Sequence, residues 1–212
     1  EESFYAEGAL CPNREEDDKY PNPVGFMAES SRHLSWIISL YHAYNQLYKD
    51  VMDVLIMVNT MWYPIRGKTK PCRAPDIMIA FGLPPDPFMR SYQQWNHNNV
   101  APGVVIEIKS PGNTKSDLKE RLRFFDRFGV EECLVIDPIS REVEVHQRVG
   151  DHLLDLPLGV NGWQSALTGL RLVTSETGEL IRILDGDGNL FLDPDKADNT
   201  AKAKQEEFAE LF

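Results

Sequence analysis

From Leu34 onward, apolar residues recur at helical spacing. Leu34, Ile37, Ile38, Tyr41, Tyr44, Leu47 and Tyr48 share one broad face, as expected of a helix that packs on a core along one side. Ser30 or Ser31 supplies an N-cap, so the spacing predicts a helix running to about Tyr48. The pattern then shifts to short runs. DVLIMV and, after a bend between Pro64 and Pro71, DIMIAF from Asp76, VVIEI from Val104 and CLVID from Cys133 read as strands. Between the last two, Thr114 and Asp117 resemble a capping box, and Leu118, Leu122, Phe125 and Phe128 keep helical spacing up to Gly129. The predicted order is helix, three strands, helix, strand, an α/β core.

After Pro138 the runs EVEVHQRV, HLLDL, LRLV, LIRIL and NLFL alternate with glycine and polar turns, which predicts β-hairpins extending or flanking the core sheet. Asp185-Gly-Asp-Gly-Asn189 resembles a calcium loop only superficially. Its sixth and twelfth places are Leu190 and Lys196, so a hairpin turn fits better. The ends differ from the middle. Residues 1–23 read as an acidic arm, 24–192 as the folded domain and 193–212 as a helical tail. Ala201, Ala203, Phe208 and Leu211 are spaced along that tail in a way that would suit a homodimer contact.

Composition changes this picture little. No run approaches the roughly 18 apolar residues that cross a bilayer, and the first residues lack a basic-then-apolar leader, so no membrane association and a cytoplasmic location are expected. Cys11, Cys72 and Cys133 are too few and too scattered for a zinc knuckle or a disulfide framework.

The candidate chemistry lies on the strands. Side chains alternate along a strand, so Glu107 and Lys109 point one way while Val104, Ile106 and Ile108 point the other. Charges inside an otherwise buried run must be paired, hydrogen-bonded or holding a metal. Asp76 opens its own short strand on the same face as Met78 and Ala80, and the two acids can converge if the strands are neighbours. A hard cation such as Mg2+ takes one or two carboxylates, carbonyl oxygen and water. Asp76, Glu107 and the Ile108 carbonyl suit it, with Lys109 nearby to orient water and offset charge on a phosphorane-like transition state. Each residue has a plainer reading. Asp76 after Pro75 could cap a turn, and Glu107 with Lys109 could be a solvent-facing pair.

Pro75-Asp76 followed by Glu107-Ile108-Lys109 resembles the signature of the PD-(D/E)XK nuclease superfamily. The flanking text RSYQQWNHNNVAPGVVIEIKSPGN and FGVEECLVIDP is similar to its restriction-endonuclease-like Uma-type family, abundant in cyanobacteria. The resemblance covers roughly residues 29–149. It implies a restriction-endonuclease-like core with added hairpins, and an endonuclease that hydrolyses phosphodiester bonds, of DNA, with Mg2+ or Mn2+. It also implies that Asp76 and Glu107 bind the metal and that Lys109 is the catalytic lysine. Relatives often lack a lysine at that place, so its presence favours competence. In the following helix, where relatives commonly carry lysine and tyrosine, this chain has Arg121 and Phe125. The lysine's role could pass to Arg121, and the hydroxyl is lost.

The net charge of -11 opposes a DNA-binding surface, but the acids crowd the two ends. Lys109, Lys115, Lys119, Arg121, Arg123 and Arg127 form a basic strip beside the proposed site, for which a solvated helix face is the plainer explanation. In the long connection before Glu107, Arg90, Tyr92 and Trp95 could contact nucleic acid; equally, Tyr92 and Trp95 could anchor a surface loop. His97 is a weak candidate base, with no partner evident. Two other functions fit the same residues: a catalytically silent nucleic-acid-binding module, and a protein-assembly domain built on the acidic ends.

Overall fold

The computed structural model describes residues 31–110, 114–158, 162–174 and 181–192. The arm expected over 1–23 and the tail expected over 193–212 lie outside them. Helix α1 (Ser31–Leu47) is followed by β1 (Val54–Val58), β2 (Trp62–Tyr63), β3 (Ile77–Phe81), β4 (Tyr92–Gln93), β5 (Val104–Ile108), α2 (Lys115–Arg127) and β6 (Glu132–Ile136). Then come β7 (Val143–Val149), β8 (His152–Leu156), β9 (Trp163–Gln164), β10 (Arg171–Thr174), β11 (Ile181–Leu184) and β12 (Leu190–Leu192). The chain thus has the α/β order read from the sequence, with hairpins after it. The two-residue strands β2 and β4, which pair in parallel, are additions too short for any hydrophobic period to announce. No described helix is long and apolar enough to cross a membrane.

The central sheet has six strands in the order β1-β3-β5-β6-β7-β8, beside a four-stranded sheet β12-β11-β10-β9. Strands β5 and β6 are parallel because α2 carries the chain back between them; the other neighbours in the central sheet are antiparallel. Alternation along the strands divides the core in two. Val104, Ile106 and Ile108 join α1 (Trp36, Ile37, Leu40) and the smaller sheet (Leu172, Ile183) on one face. Val105, Met78 and Val135 join Phe124 and Phe125 of α2, with Trp62 and Tyr92, on the other.

The two helices follow their sequence patterns to different degrees. Helix α2 begins as read, with Thr114 Oγ1 accepting from Asp117 N–H and Asp117 Oδ2 accepting from Thr114 N–H. It is followed by Gly129 at φ +88°, a left-handed position that glycine takes without strain. Helix α1 is rotated from the expected face. Leu34 and Tyr41 are 46% and 38% exposed, whereas His33, Trp36, Ile37, Leu40 and Tyr44 are buried. Both stripes have helical spacing, and the one that packs on the sheet carries Trp36, Ile37, Leu40 and Tyr44.

Candidate active site

Strand register builds the site's floor. Glu107 pairs with Val135 and Val135 with Glu144, while Val105 pairs with Cys133 and Cys133 with His146. These two rows run across β5, β6 and β7 on the face that α2 covers. The C-terminal end of α2 is fastened down. Phe124 meets Trp62 edge-on at 5.0 Å, Arg148 donates to the Asp126 carbonyl at 2.8 Å, and Asp126 Oδ1 accepts from Leu153 N–H at 2.6 Å. The N-terminal half of α2 stands over a cavity of about 560 Å³. Glu107, Lys109, Glu144 and His146 line it from the sheet, and Lys115, Lys119 and Arg121 from the helix.

Extending the β3/β5 register one step beyond Ile77 and Ile106 sets Asp76 across from Glu107. Asp76 is buried but does not line the cavity. Its Oδ2 accepts from the Ile108 amide at 2.6 Å and lies 3.3 Å from His33 Nε2, which is also 3.0 Å from the Ile108 carbonyl oxygen. Asp76 therefore ties the head of β3 to the end of β5, and His33 joins both from α1.

Glu107 is only 5% exposed, and its two oxygens differ. Oε2 accepts from Arg121 at 2.5 Å, whereas Oε1 is buried with no hydrogen-bond partner. Burial, together with the negative charge of Asp76, pushes the carboxyl up from its ordinary range to about 8, against the pull of Arg121 and His33. Such an oxygen is short of positive charge. Lys109 Nζ meets Glu144 Oε1 at 2.6 Å. His146 is buried with no hydrogen-bond partner at Nε2; Glu144 Oε2 stands 4.0 Å away, and burial lowers the imidazole's pKa.

The structure thus brings Glu107, Ile108, Lys109, Lys115, Lys119 and Arg121 to one cavity, with Asp76 adjoining through the Ile108 amide. Arg90, Tyr92 and Trp95 do not line it. Arg90 is exposed on the β3–β5 connection, and Trp95 sits in a short 3-10 turn. Tyr92 is fully buried, so it cannot reach a nucleic acid. Its hydroxyl donates to the Val100 carbonyl at 2.6 Å and its ring stacks on His97, which makes it the loop anchor of the alternative reading. Phe125, at the tyrosine place, is fully buried in the core.

Sequence reasoning missed His33, Glu144 and His146. A histidine at the head of the stripe 33, 36, 37, 40, 44 was the available sign for His33. In EVEVHQRV, the acid and histidine alternate with apolar residues on one face, which was the sign for the other two. Among the described residues no three acid, histidine or cysteine side chains form a metal cage. Mg2+ does not require one, since it keeps several waters and binds through one or two carboxylates plus substrate phosphate. The unpartnered Oε1 of Glu107 beside Asp76 fits that need.

A family model, Uma2, described as "Putative restriction endonuclease", matches residues 22–175. No curated protein matches. The solved structures that match include the crystal structure of a putative nuclease belonging to DUF820 from Anabaena variabilis ATCC 29413. It is 16% identical, covers 65% of this chain and 73% of that one, and has a TM-score of 0.45. Because the family model spans well over half of its residues, the chain belongs to the Uma2 family of putative restriction endonucleases.

Proposed function

We propose that the chain is a metal-dependent endonuclease that hydrolyses phosphodiester bonds of DNA. Asp76, Glu107 and the Ile108 carbonyl would hold Mg2+ or Mn2+. The observation that carries this reading is the buried, unpartnered Oε1 of Glu107, a residue that lines the cavity and stands close enough to Asp76 to feel its charge. A bound Mg2+ supplies Lewis-acid charge and lowers the pKa of bound water.

The chain's own residues supply the rest. Arg121 holds Oε2 of Glu107 and leaves Oε1 without a hydrogen-bond partner. Lys109, steadied by Glu144, presents an ammonium at the cavity wall, where it orients the attacking water and offsets charge developing on the phosphoryl oxygens. Asp76 bonds to the backbone that joins Glu107 to Lys109, and so fixes both side chains. Lys115 and Lys119 at the cavity wall provide phosphate contacts despite the net charge of -11.

The test is incubation of purified protein with plasmid and single-stranded DNA in Mg2+ or Mn2+. Cleavage is expected from the wild type and is expected to be lost in Glu107→Ala and Lys109→Ala. Undiminished cutting by either variant rules out this site.

One observation favours a second reading, a catalytically silent nucleic-acid-binding module: Lys109 and Arg121 are each already paired with an acid. Salt-sensitive DNA binding with no turnover in either metal would select it.

A further inference from the structure

The cavity beside Glu107 is larger than a phosphate requires and has two kinds of wall. Glu107, Lys109 and Arg121 stand on the side where the phosphodiester would react. Most of the exposed wall area is apolar, with Leu118, Leu122, Val135 and Ile139 among the residues that form it, and Asp117 and Asp137 stand at the wall as well. Aliphatic walls give a phosphate nothing to bind and would strip its hydration. They suit a flat apolar face. Set among them is the imidazole of His146, a buried polar side chain whose Nε2 is without a hydrogen-bond partner. A polar atom closed off in this way carries a penalty unless a ligand supplies its partner. The volume of about 560 Å³ lies in the range, roughly 300–1,000 Å³, of pockets that hold small organic molecules.

We infer that this cavity takes a nucleobase from the strand being cut, so that the preferred substrate is single-stranded or carries an unpaired nucleotide at the cleaved position. The inference rests on the nuclease reading for its choice of ligand. A base has two apolar faces to lie against Leu118, Leu122 and Ile139, and an edge of donors and acceptors to meet His146 Nε2 and the second carboxylate oxygen of Glu144. Its sugar and phosphate would then lie toward the cationic side, where Lys109 and Arg121 stand. A base still paired in a duplex cannot enter such a pocket. Extruding it is easiest where it is already unpaired, and that is the source of the expected preference.

The test uses the full chain and four probes, dAMP, dCMP, dGMP and dTMP, against 2-deoxyribose 5-phosphate, which lacks the base. Affinities are measured by calorimetry with Mg2+ and again with EDTA. At least one nucleotide is expected to bind about tenfold or more tightly than the sugar phosphate, the gain typical of stacking one base. Ile139→Ser, which adds no charge, should reduce that advantage and leave sugar-phosphate binding unchanged; Ile139 is 65% exposed, so its replacement leaves folding intact. Equal affinity of the sugar phosphate and all four nucleotides, or an advantage that survives undiminished in Ile139→Ser, overturns the inference. This readout needs no turnover. A nucleotide advantage in a chain that never cuts DNA would keep the pocket and reject the nuclease, and cutting without the advantage would do the reverse.

Discussion

Glu132 and Glu107 stand on neighbouring strands of one sheet, both almost wholly buried, and the protein surrounds them differently. Glu132 pairs in register with Val104 and faces α1 and the smaller sheet. Its Oε2 accepts from the Ser165 hydroxyl at 2.5 Å and its Oε1 from Ala166 N–H at 2.8 Å. The void beside it measures about 10 Å³, about the least that admits one water. Glu107 faces α2, keeps one oxygen without a partner, and borders a cavity of about 560 Å³. A buried acid with its oxygens satisfied closes a structure. One with an oxygen left open beside a cavity is prepared for a ligand.

The largest effect that separates the two acids is on activity. Glu107→Gln should lower the DNA cleavage rate roughly a thousandfold, the scale expected when a group that stabilises the transition state is lost. Glu132→Gln should stay within a few-fold of wild type. Matching losses in the two variants would erase the distinction. Next comes stability. Glu132→Ala leaves the buried Ser165 hydroxyl without its acceptor, which costs about 2 kcal/mol and lowers the urea midpoint. Glu107→Gln removes repulsion with Asp76, so at pH 8 without metal its midpoint should equal or exceed that of wild type.

A smaller difference concerns pH. The Glu107 carboxyl rises from 4.5 to about 8 on folding, so the folded chain keeps a proton that the unfolded chain has lost. That contribution to stability is complete below 4.5 and disappears as pH rises through about 8. Without divalent cations the wild-type urea midpoint should therefore fall between pH 5 and pH 8 more steeply than that of Glu107→Gln. Glu132 is also raised by burial and has the same sign, but it is present in both proteins and cancels in the comparison. Parallel curves would show that Glu107 ionises alike in the folded and unfolded chains.

Much of the core was legible because its periods are strong. VVIEI fixed the faces of Glu107 and Lys109, and Thr114, Asp117 and Gly129 marked both ends of α2. The phase of α1 was harder to read, since apolar residues at 34 and 41 compete with those at 36, 40 and 44, and only the sheet decides between them. The partners of the site were hidden for another reason. Glu144 reaches Lys109 from two strands away in the sheet and His33 reaches Asp76 from α1, contacts that depend on strand order rather than on local spacing. Tyr92 looked available because amides and charges surround it in sequence, yet its ring fills the core under the loop.

The most direct measurement is a Mn2+ titration followed by electron paramagnetic resonance, on wild type, Glu107→Gln and Glu132→Gln. One Mn2+ per chain should bind to the wild type and to Glu132→Gln, and Glu107→Gln should weaken that binding about tenfold or more. Equal Mn2+ binding by wild type and Glu107→Gln would contradict a metal-holding role for the open oxygen of Glu107.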